Sequence, residues 1–367
     1  MKRRKKGEKK IQPVHPAAGI ILSLGFFGML IHLFSVLFPS FADFIGSTVG
    51  AALRFVLAKL FNIFPFSFME FLLYASPLII AVTAYFAVKC ARGGRIYIVR
   101  AISAVLSVAA GVYFCFSVGF APGYRGSPLS EKMGLERRDV SPEELYTVTL
   151  TVIEEVNSIC ENVDYNPDGS SYMPFSLNEL SDKLCVSYKE LSGDLTFIKT
   201  FSSDVKPIVI SRLMTYTHIS GIYSFFTGEA NLNTNYPDYV NVYTAAHEMA
   251  HQRGISREDE ANFVAFLVCK DSDDSYIRYS AYLNMYEYLS NALYSADYEL
   301  WEDAYFRLSS AARGELDAYS DFFDEYRQST VSDVSDTLNN AYLESQGTAG
   351  TKSYGMVVDL AVAYYLH

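Results

Sequence analysis

Histidine is scarce, with six in 367 residues, so any site built on imidazole must draw on few positions. Cysteine is sparse too. Of the five cysteines, no two form a Cys-x-x-Cys pair, which removes the common thiolate-zinc and dithiol redox motifs. Acidic residues are nearly missing from the first third. Residues 1–123 carry thirteen Lys+Arg against three Asp+Glu, and residues 124–367 carry seventeen against thirty-eight. The formal net charge of −11 thus divides between a basic part and a strongly acidic part, which points to two environments. The acidic part argues against a nucleic-acid partner. There is no internal repeat, and a composition that is 50% hydrophobic and 15% aromatic excludes a disordered chain.

Charge is absent altogether from "AAGIILSLGFFGMLIHLFSVLF", residues 17–38, a run long enough to cross a hydrocarbon core about 30 Å thick. It follows the basic stretch "MKRRKKGEKK", the pattern that holds a helix end in the cytoplasm. The run exceeds a typical signal-peptide core, and Ser40-Phe41-Ala42 mimics a small-x-small cleavage site only weakly. An uncleaved anchor is expected, with His32 as a helix-packing residue. Two further spans are expected at 67–88, with Glu70 near one end, and at 101–120. Lys89, Arg92, Arg95 and Arg100 mark a cytoplasmic loop between them. Residues 39–66 are apolar but interrupted by Asp43, Arg54 and Lys59, which suits a helix lying at the membrane surface. The expected organisation is a basic cytoplasmic N-terminus (1–16), a membrane region (17–123) and an extracytoplasmic domain (124–367).

In the outer domain "SPEE" predicts a helix over 141–163, started by serine and proline. "SLNELSDKLCVSYKELSG" suggests another helix, "VKPIVISRLM" a strand, and "ISGIYSFFTGEANLN" (219–233) strand, turn and strand. Residues from about 275 to 343 read as mostly helical. Cys160 and Cys185 both lie in this domain and could pair in an oxidising compartment.

The chemistry gathers in "TAAHEMAHQRGISREDEANFVAFL", residues 244–267. His247 and His251 stand one turn apart on a single helix face, a spacing that lets two imidazoles share one cation such as zinc. Glu248 projects about 100° round from His247, so it can sit beside the metal without binding it and handle protons as a general base. Gly254 can end this helix in a left-handed conformation. Ser256 then reads as the N-cap of a second helix, with Asp259 completing a capping-box-like pattern. On that helix Glu258 and Glu260 point about 200° apart, so they cannot both face the metal. Glu258 is preferred, because it shares its face with Ala261, Asn262 and Ala265. Asn262 could accept a hydrogen bond from a ligand imidazole.

The run "HEMAHQRG…REDEAN" resembles the gluzincin branch of zinc metallopeptidases. With the membrane spans, "GIYSFFTGEANLN" and "SYGMVV", the chain resembles an uncharacterised bacterial membrane family, domain of unknown function 3810. The resemblance implies three transmembrane helices carrying a mainly α, α+β zincin-like domain with a small sheet beside the HExxH helix. It implies His247, His251 and Glu258 as Zn2+ ligands and Glu248 as the base. The six residues between His251 and Glu258 make a shorter gap than in many gluzincins.

A substrate would pair with the strand next to the motif helix, with Glu229, Asn231 and Asn233 as candidate cleft residues. Tyr279, Arg278, His218 and Tyr354 are available to stabilise an oxyanion. The expected function is hydrolysis of peptides or envelope proteins at the outer face of the cytoplasmic membrane. The competing reading is a catalytically inactive envelope binding or sensor protein with a structural zinc.

Overall fold

The computed structural model describes residues 12–327 and 329–367. It is mostly helical, with one three-stranded sheet. The N-terminal part contains α1 (Pro16–Leu37), α2 (Pro39–Ser47), α3 (Val49–Phe61), α4 (Phe68–Ala91) and α5 (Arg95–Gly119). Two short helices follow, α6 (Ala121–Arg125) and α7 (Leu129–Met133), then α8 (Pro142–Cys160), α9 (Leu177–Asp194) and α10 (Ser211–Thr215). After the sheet come α11 (Asp238–Gln252), α12 (Glu258–Lys270), α13 (Ser275–Ala296), α14 (Tyr298–Arg307), α15 (Ser310–Asp324), α16 (Thr330–Ser345) and α17 (Val357–Tyr365).

Four segments are long and apolar enough to cross a membrane by length and composition: Pro16–Leu37, Pro39–Phe61, Phe68–Cys90 and Arg95–Gly119. The first and last pack side by side, and His32 Nδ1 meets Tyr113 Oη at 3.0 Å, a helix-packing contact. The second segment is not one helix. Thr48 (φ −114°, ψ −91°) breaks it into α2 and α3, and both of its ends touch the following domain. Near its start Asp43 pairs with Lys132 at 2.8 Å and accepts the Ser127 N–H at 3.0 Å. Near its end Lys59 Nζ donates to the Ser202 carbonyl at 2.7 Å, and Asn62 Oδ1 accepts the Asp204 N–H at 2.8 Å.

The N-terminus of α4 is tied to the same domain by two carboxylates. Glu229 accepts from the N–H groups of Phe68 (2.9 Å) and Met69 (3.0 Å). Glu70, in the first turn of α4, accepts from Val209 (2.8 Å) and Ile210 (3.0 Å). The first pair satisfies N–H groups that a helix start leaves without partners, and negative charge there complements the helix dipole.

Within residues 124–367 the elements follow local chemistry. α8 and α9 both begin with capping boxes, Ser141 with Glu144 and Ser176 with Glu179, and α8 has Pro142 at its first position. The principal core is built by α8, α11, α12 and α13 through residues such as Val152, Met249, Phe263, Phe266 and Leu289, all fully buried. The sheet is β1 (Lys206–Pro207), β2 (Gly221–Ser224) and β3 (Glu229–Leu232) in the order β1-β3-β2. β1 pairs parallel and β2 antiparallel to β3. The expected strand over "VKPIVISRLM" shrinks to two residues, because Glu70 takes the N–H groups of Val209 and Ile210 and α10 begins at Ser211. Cys160 and Cys185 are both free. Cys160 lies against Ser309 Oγ, while Cys185 faces Phe201, Ser203 and Arg253, so the expected pairing does not occur.

Candidate metal centre

α11 carries His247, Glu248 and His251, and Gly254 ends the turn that follows it with φ +101°. The chain reverses there, as the spacing predicts. The cap of α12 differs from expectation: Arg257 is the N-cap, with no side-chain cap bond. Ser256 Oγ instead donates to the Phe120 carbonyl at 2.8 Å, so the hydroxyl serves the end of α5 rather than α12.

This reversal brings three ligand atoms together. His247 Nε2 lies 3.2 Å and His251 Nε2 3.4 Å from Glu258 Oε2, and His247, His251 and Glu258 each offer one ligand atom within 4.8 Å of the others. All three residues are buried. His251 Nδ1 stands 2.7 Å from the Ile255 carbonyl, so it donates there and leaves the Nε2 lone pair for the cluster. Glu260 points elsewhere, accepting the Leu129 N–H at 2.7 Å and pairing with Arg257 at 3.2 Å. The Glu258/Glu260 alternative is thus decided by position. Burial opposes ionisation of Glu258, yet the two imidazoles hold its carboxyl below the usual carboxylate range. Burial likewise opposes charge on His251, but Glu258 raises it to about 9. Two imidazole nitrogens with one carboxylate oxygen make a donor set that could hold a divalent ion.

Glu248 is 5% exposed and faces β2. A Cβ at Gly221 would lie 2.6 Å from Glu248 Oε1 and 2.7 Å from Thr244 Cγ2, so only glycine allows the strand this close to the helix. Burial raises the Glu248 pKa, against the pull of His247 and His251. Its Oε2 has no hydrogen-bond partner among the described residues, and neither does His247 Nδ1. A buried carboxylate oxygen left unpaired beside a metal-type donor set is available for proton transfer.

The remaining sequence candidates separate sharply. Glu229, Asn231 and Asn233 belong to or follow β3, which is covered on both edges, so they do not line a cleft. Glu229 holds the start of α4, Asn231 Nδ2 donates to the Ile222 and Glu229 carbonyls, and Asn233 Nδ2 donates to the Ile219 carbonyl and Thr215. The edge strands, among the described residues, are the two-residue β1 and the four-residue β2, and of these it is β2 that lies against Glu248. Tyr279 is fully buried and donates to Glu315 at 3.3 Å, within the α13 and α15 packing. Arg278 donates to the Ser272 carbonyl and His218 Nε2 meets the Tyr326 carbonyl. The bond expected between Asn262 and a ligand imidazole is absent. Asn262 Nδ2 has no partner, and the residue's backbone carbonyl accepts from Tyr243 Oη at 2.6 Å.

Tyr354 alone of the proposed cleft residues stays near the cluster. Burial raises its hydroxyl pKa, and the charges of Glu258 and Glu248 raise it further. Sequence reasoning missed its neighbours. Phe120 stands edge-on to His251 with ring centroids 5.6 Å apart, Tyr223 lies at 6.4 Å, and Tyr124 meets Tyr342 Oη to Oη at 3.5 Å. With 28 tyrosines and 26 phenylalanines in the chain, nothing in the sequence distinguishes these.

Glu315 yields a pH-dependent prediction. It is 1% exposed, and one carboxylate oxygen accepts from the Ser171 N–H at 2.9 Å and from Tyr279, while the other has no partner. Burial pushes its pKa from 4.5 up to about 7. Between those values the folded form holds a proton that the unfolded form has lost, so stability falls as pH rises from 4.5 through 7 and is flat below. The loss amounts to roughly 3 kcal/mol. Glu315→Gln keeps the acceptor without the charge, and thermal melts of the variant at pH 5 and pH 8 should differ less than those of the wild type.

No curated protein and no solved structure matches the chain. A family model described as Protein of unknown function (DUF3810) matches residues 49–362, a range that includes α3, α4, α5, the sheet and the His247/His251/Glu258 cluster. The chain belongs to that family.

Proposed function

We propose that the chain is a membrane-anchored zinc peptidase whose catalytic domain lies outside the cytoplasmic membrane. The observation that carries this reading is the convergence of His247, His251 and Glu258 within 4.8 Å, with the unpaired Glu248 oxygen beside the free edge of β2. Bound zinc would supply Lewis-acid activation of water and of the scissile carbonyl. His247, His251 and Glu258 would hold it. Glu248 would take a proton from the attacking water and return one to the leaving amine. The edge of β2 would pair with an extended peptide and align it over α11. Tyr354, Tyr342 and Tyr124 offer hydroxyls within reach of the charge of Glu258.

Three spans, α1, α4 and α5, fit this topology. Both ends of the α2–α3 segment contact the outer domain through Asp43, Lys59 and Asn62, so the segment would lie at the outer surface. Lys89, Arg92, Arg95 and Arg100 cluster where α4 meets α5, the end remote from Glu229, which favours a cytoplasmic loop there and a cytoplasmic N-terminus. The acidic outer domain disfavours nucleic acid and favours peptide or envelope-protein substrates.

A binding or sensor role has one observation in its favour: His247, Glu248, His251 and Glu258 are each at most 8% exposed. The purified full-length protein separates the readings. The peptidase reading expects about one zinc per chain and cleavage of an unbiased peptide library that stops on chelation and returns with zinc. Glu258→Gln should lose the metal, and Glu260→Gln should keep it. Zinc without any cleavage would leave the binding role, and a folded protein without zinc would end both.

A further inference from the structure

Two aromatic contacts join the metal cluster to the end of a membrane helix. Phe120 immediately follows α5, and its ring stands on His251. Phe116, one turn earlier on α5, packs against Phe225 at 5.3 Å and Tyr342 at 6.4 Å. Phe120, Tyr124, Tyr223 and Leu343 form a small buried core of their own, so α5, β2 and α16 meet around the site. The 25 residues of α5 make a helix about 37 Å long, only some 7 Å more than a hydrocarbon core of about 30 Å. His251 therefore sits within roughly 10 Å of the apolar boundary.

α16 supplies an independent observation. Val331, Val334, Leu338 and Tyr342 follow steps of three and four along one side, and they are 53%, 59%, 67% and 36% exposed. Such a stripe on a surface helix needs a partner. Its Tyr342 end continues directly onto Phe116 of α5, which makes the bilayer the natural occupant. Asp333 and Asp336 on the same helix disfavour an anionic surface, so the match is to zwitterionic lipid.

We propose that α16 lies in the membrane surface with this stripe in lipid, and that the site works on membrane-tethered polypeptides, in the few residues next to the end of a span. The substrate class rests on the peptidase reading above; the placement of α16 does not. At about 3.3 Å per extended residue, the height of His251 above the boundary is spanned by roughly three residues, so the cleaved bond falls within about the first six outside the span.

The test uses the full-length Glu248→Gln protein in phosphatidylcholine nanodiscs with a benzoylphenylalanine photo-crosslinker. Placed at Leu338 it should form lipid adducts, and placed at Phe306, exposed on α14, it should form none. Lack of adducts at Leu338, or equal adducts at both, overturns the placement. Placed at Ile222, on the edge of β2, it is offered single-span peptides bearing a randomised extension of about twelve residues. Adducts should fall at least tenfold more often in the first six positions than in the last six. An even or distal distribution, or no peptide adduct, overturns the substrate class. Wild-type enzyme in parallel separates the two ideas. Proximal capture without cleavage would sink the peptidase and leave tethered binding, whereas equal cleavage of the same extensions free in solution would sink the tethering and leave the peptidase.

Discussion

Glu248→Gln should retain zinc at about one ion per chain while peptide cleavage falls by roughly 10²- to 10⁴-fold, the usual contribution of a positioned general base. The two readouts separate because the residues separate. Zinc would be held by atoms of His247, His251 and Glu258, and Glu248 projects toward Gly221 on β2 instead. Glutamine has nearly the same shape, so the close approach of Gly221 is preserved. What is lost is the ability to take up a proton. Metal content by mass spectrometry beside initial cleavage rates decides the matter. Unchanged cleavage would show that the proton passes through another group, with Tyr354, which feels the charges of Glu258 and Glu248, as the candidate. Loss of metal together with cleavage would show that Glu248 supports the ligand set and is not the base.

Arg54→Met should be the most destabilising single change at the junction between the apolar N-terminal helices and the domain that follows them. Arg54 is 5% exposed. Its Nη1 donates to the Gly119 carbonyl at 2.7 Å, and its Nη2 to the carbonyls of Gly46 at 2.9 Å and Arg253 at 3.4 Å. One guanidinium thereby satisfies the last turns of α2 and α5 and the C-cap of α11, the helix that carries His247 and His251. Methionine fills similar volume but leaves those carbonyls without their donor, and a broken buried charged network costs on the order of 3 to 5 kcal/mol. A fall of about 10 °C in the first melting transition of the full-length protein is expected, with weaker retention of zinc because the C-cap of α11 loosens. A melt within a degree or so of the wild type would mean that water replaces the guanidinium and that the junction is held by Glu70, Glu229 and Lys59 instead.

What could be read from the sequence shares one property: it depends on neighbours within a few residues. The apolar helices follow from uninterrupted composition, α8 and α9 from serine followed by glutamate three residues on, and the turn at Gly254 from the one residue type that reaches φ +101° without strain. The pairing of His247 with His251 is equally local, because four residues make about one helical turn. Reading the cap of α12 failed at Ser256, whose hydroxyl is taken by Phe120, 136 positions away. The cleft assignments of Glu229, Asn231 and Asn233 failed because strand order places β3 in the middle of the sheet, and strand order is not written in four-residue patterns. The strand expected over "VKPIVISRLM" was cut short by Glu70, 139 positions from Val209.

The sequence by itself determined the helices, the charge division between residues 1–123 and 124–367, the reversal after His251 and the set of residues able to ligate. Tertiary structure alone decided that Glu258 rather than Glu260 meets the imidazoles, that β2 rather than β3 offers the edge, and that Phe120, Tyr342 and Tyr354 surround the site at the end of α5. The physical reason is range: hydrogen bonds and periodicity within a helix are set by adjacent residues, whereas the direction a side chain finally faces depends on which distant segment packs against it.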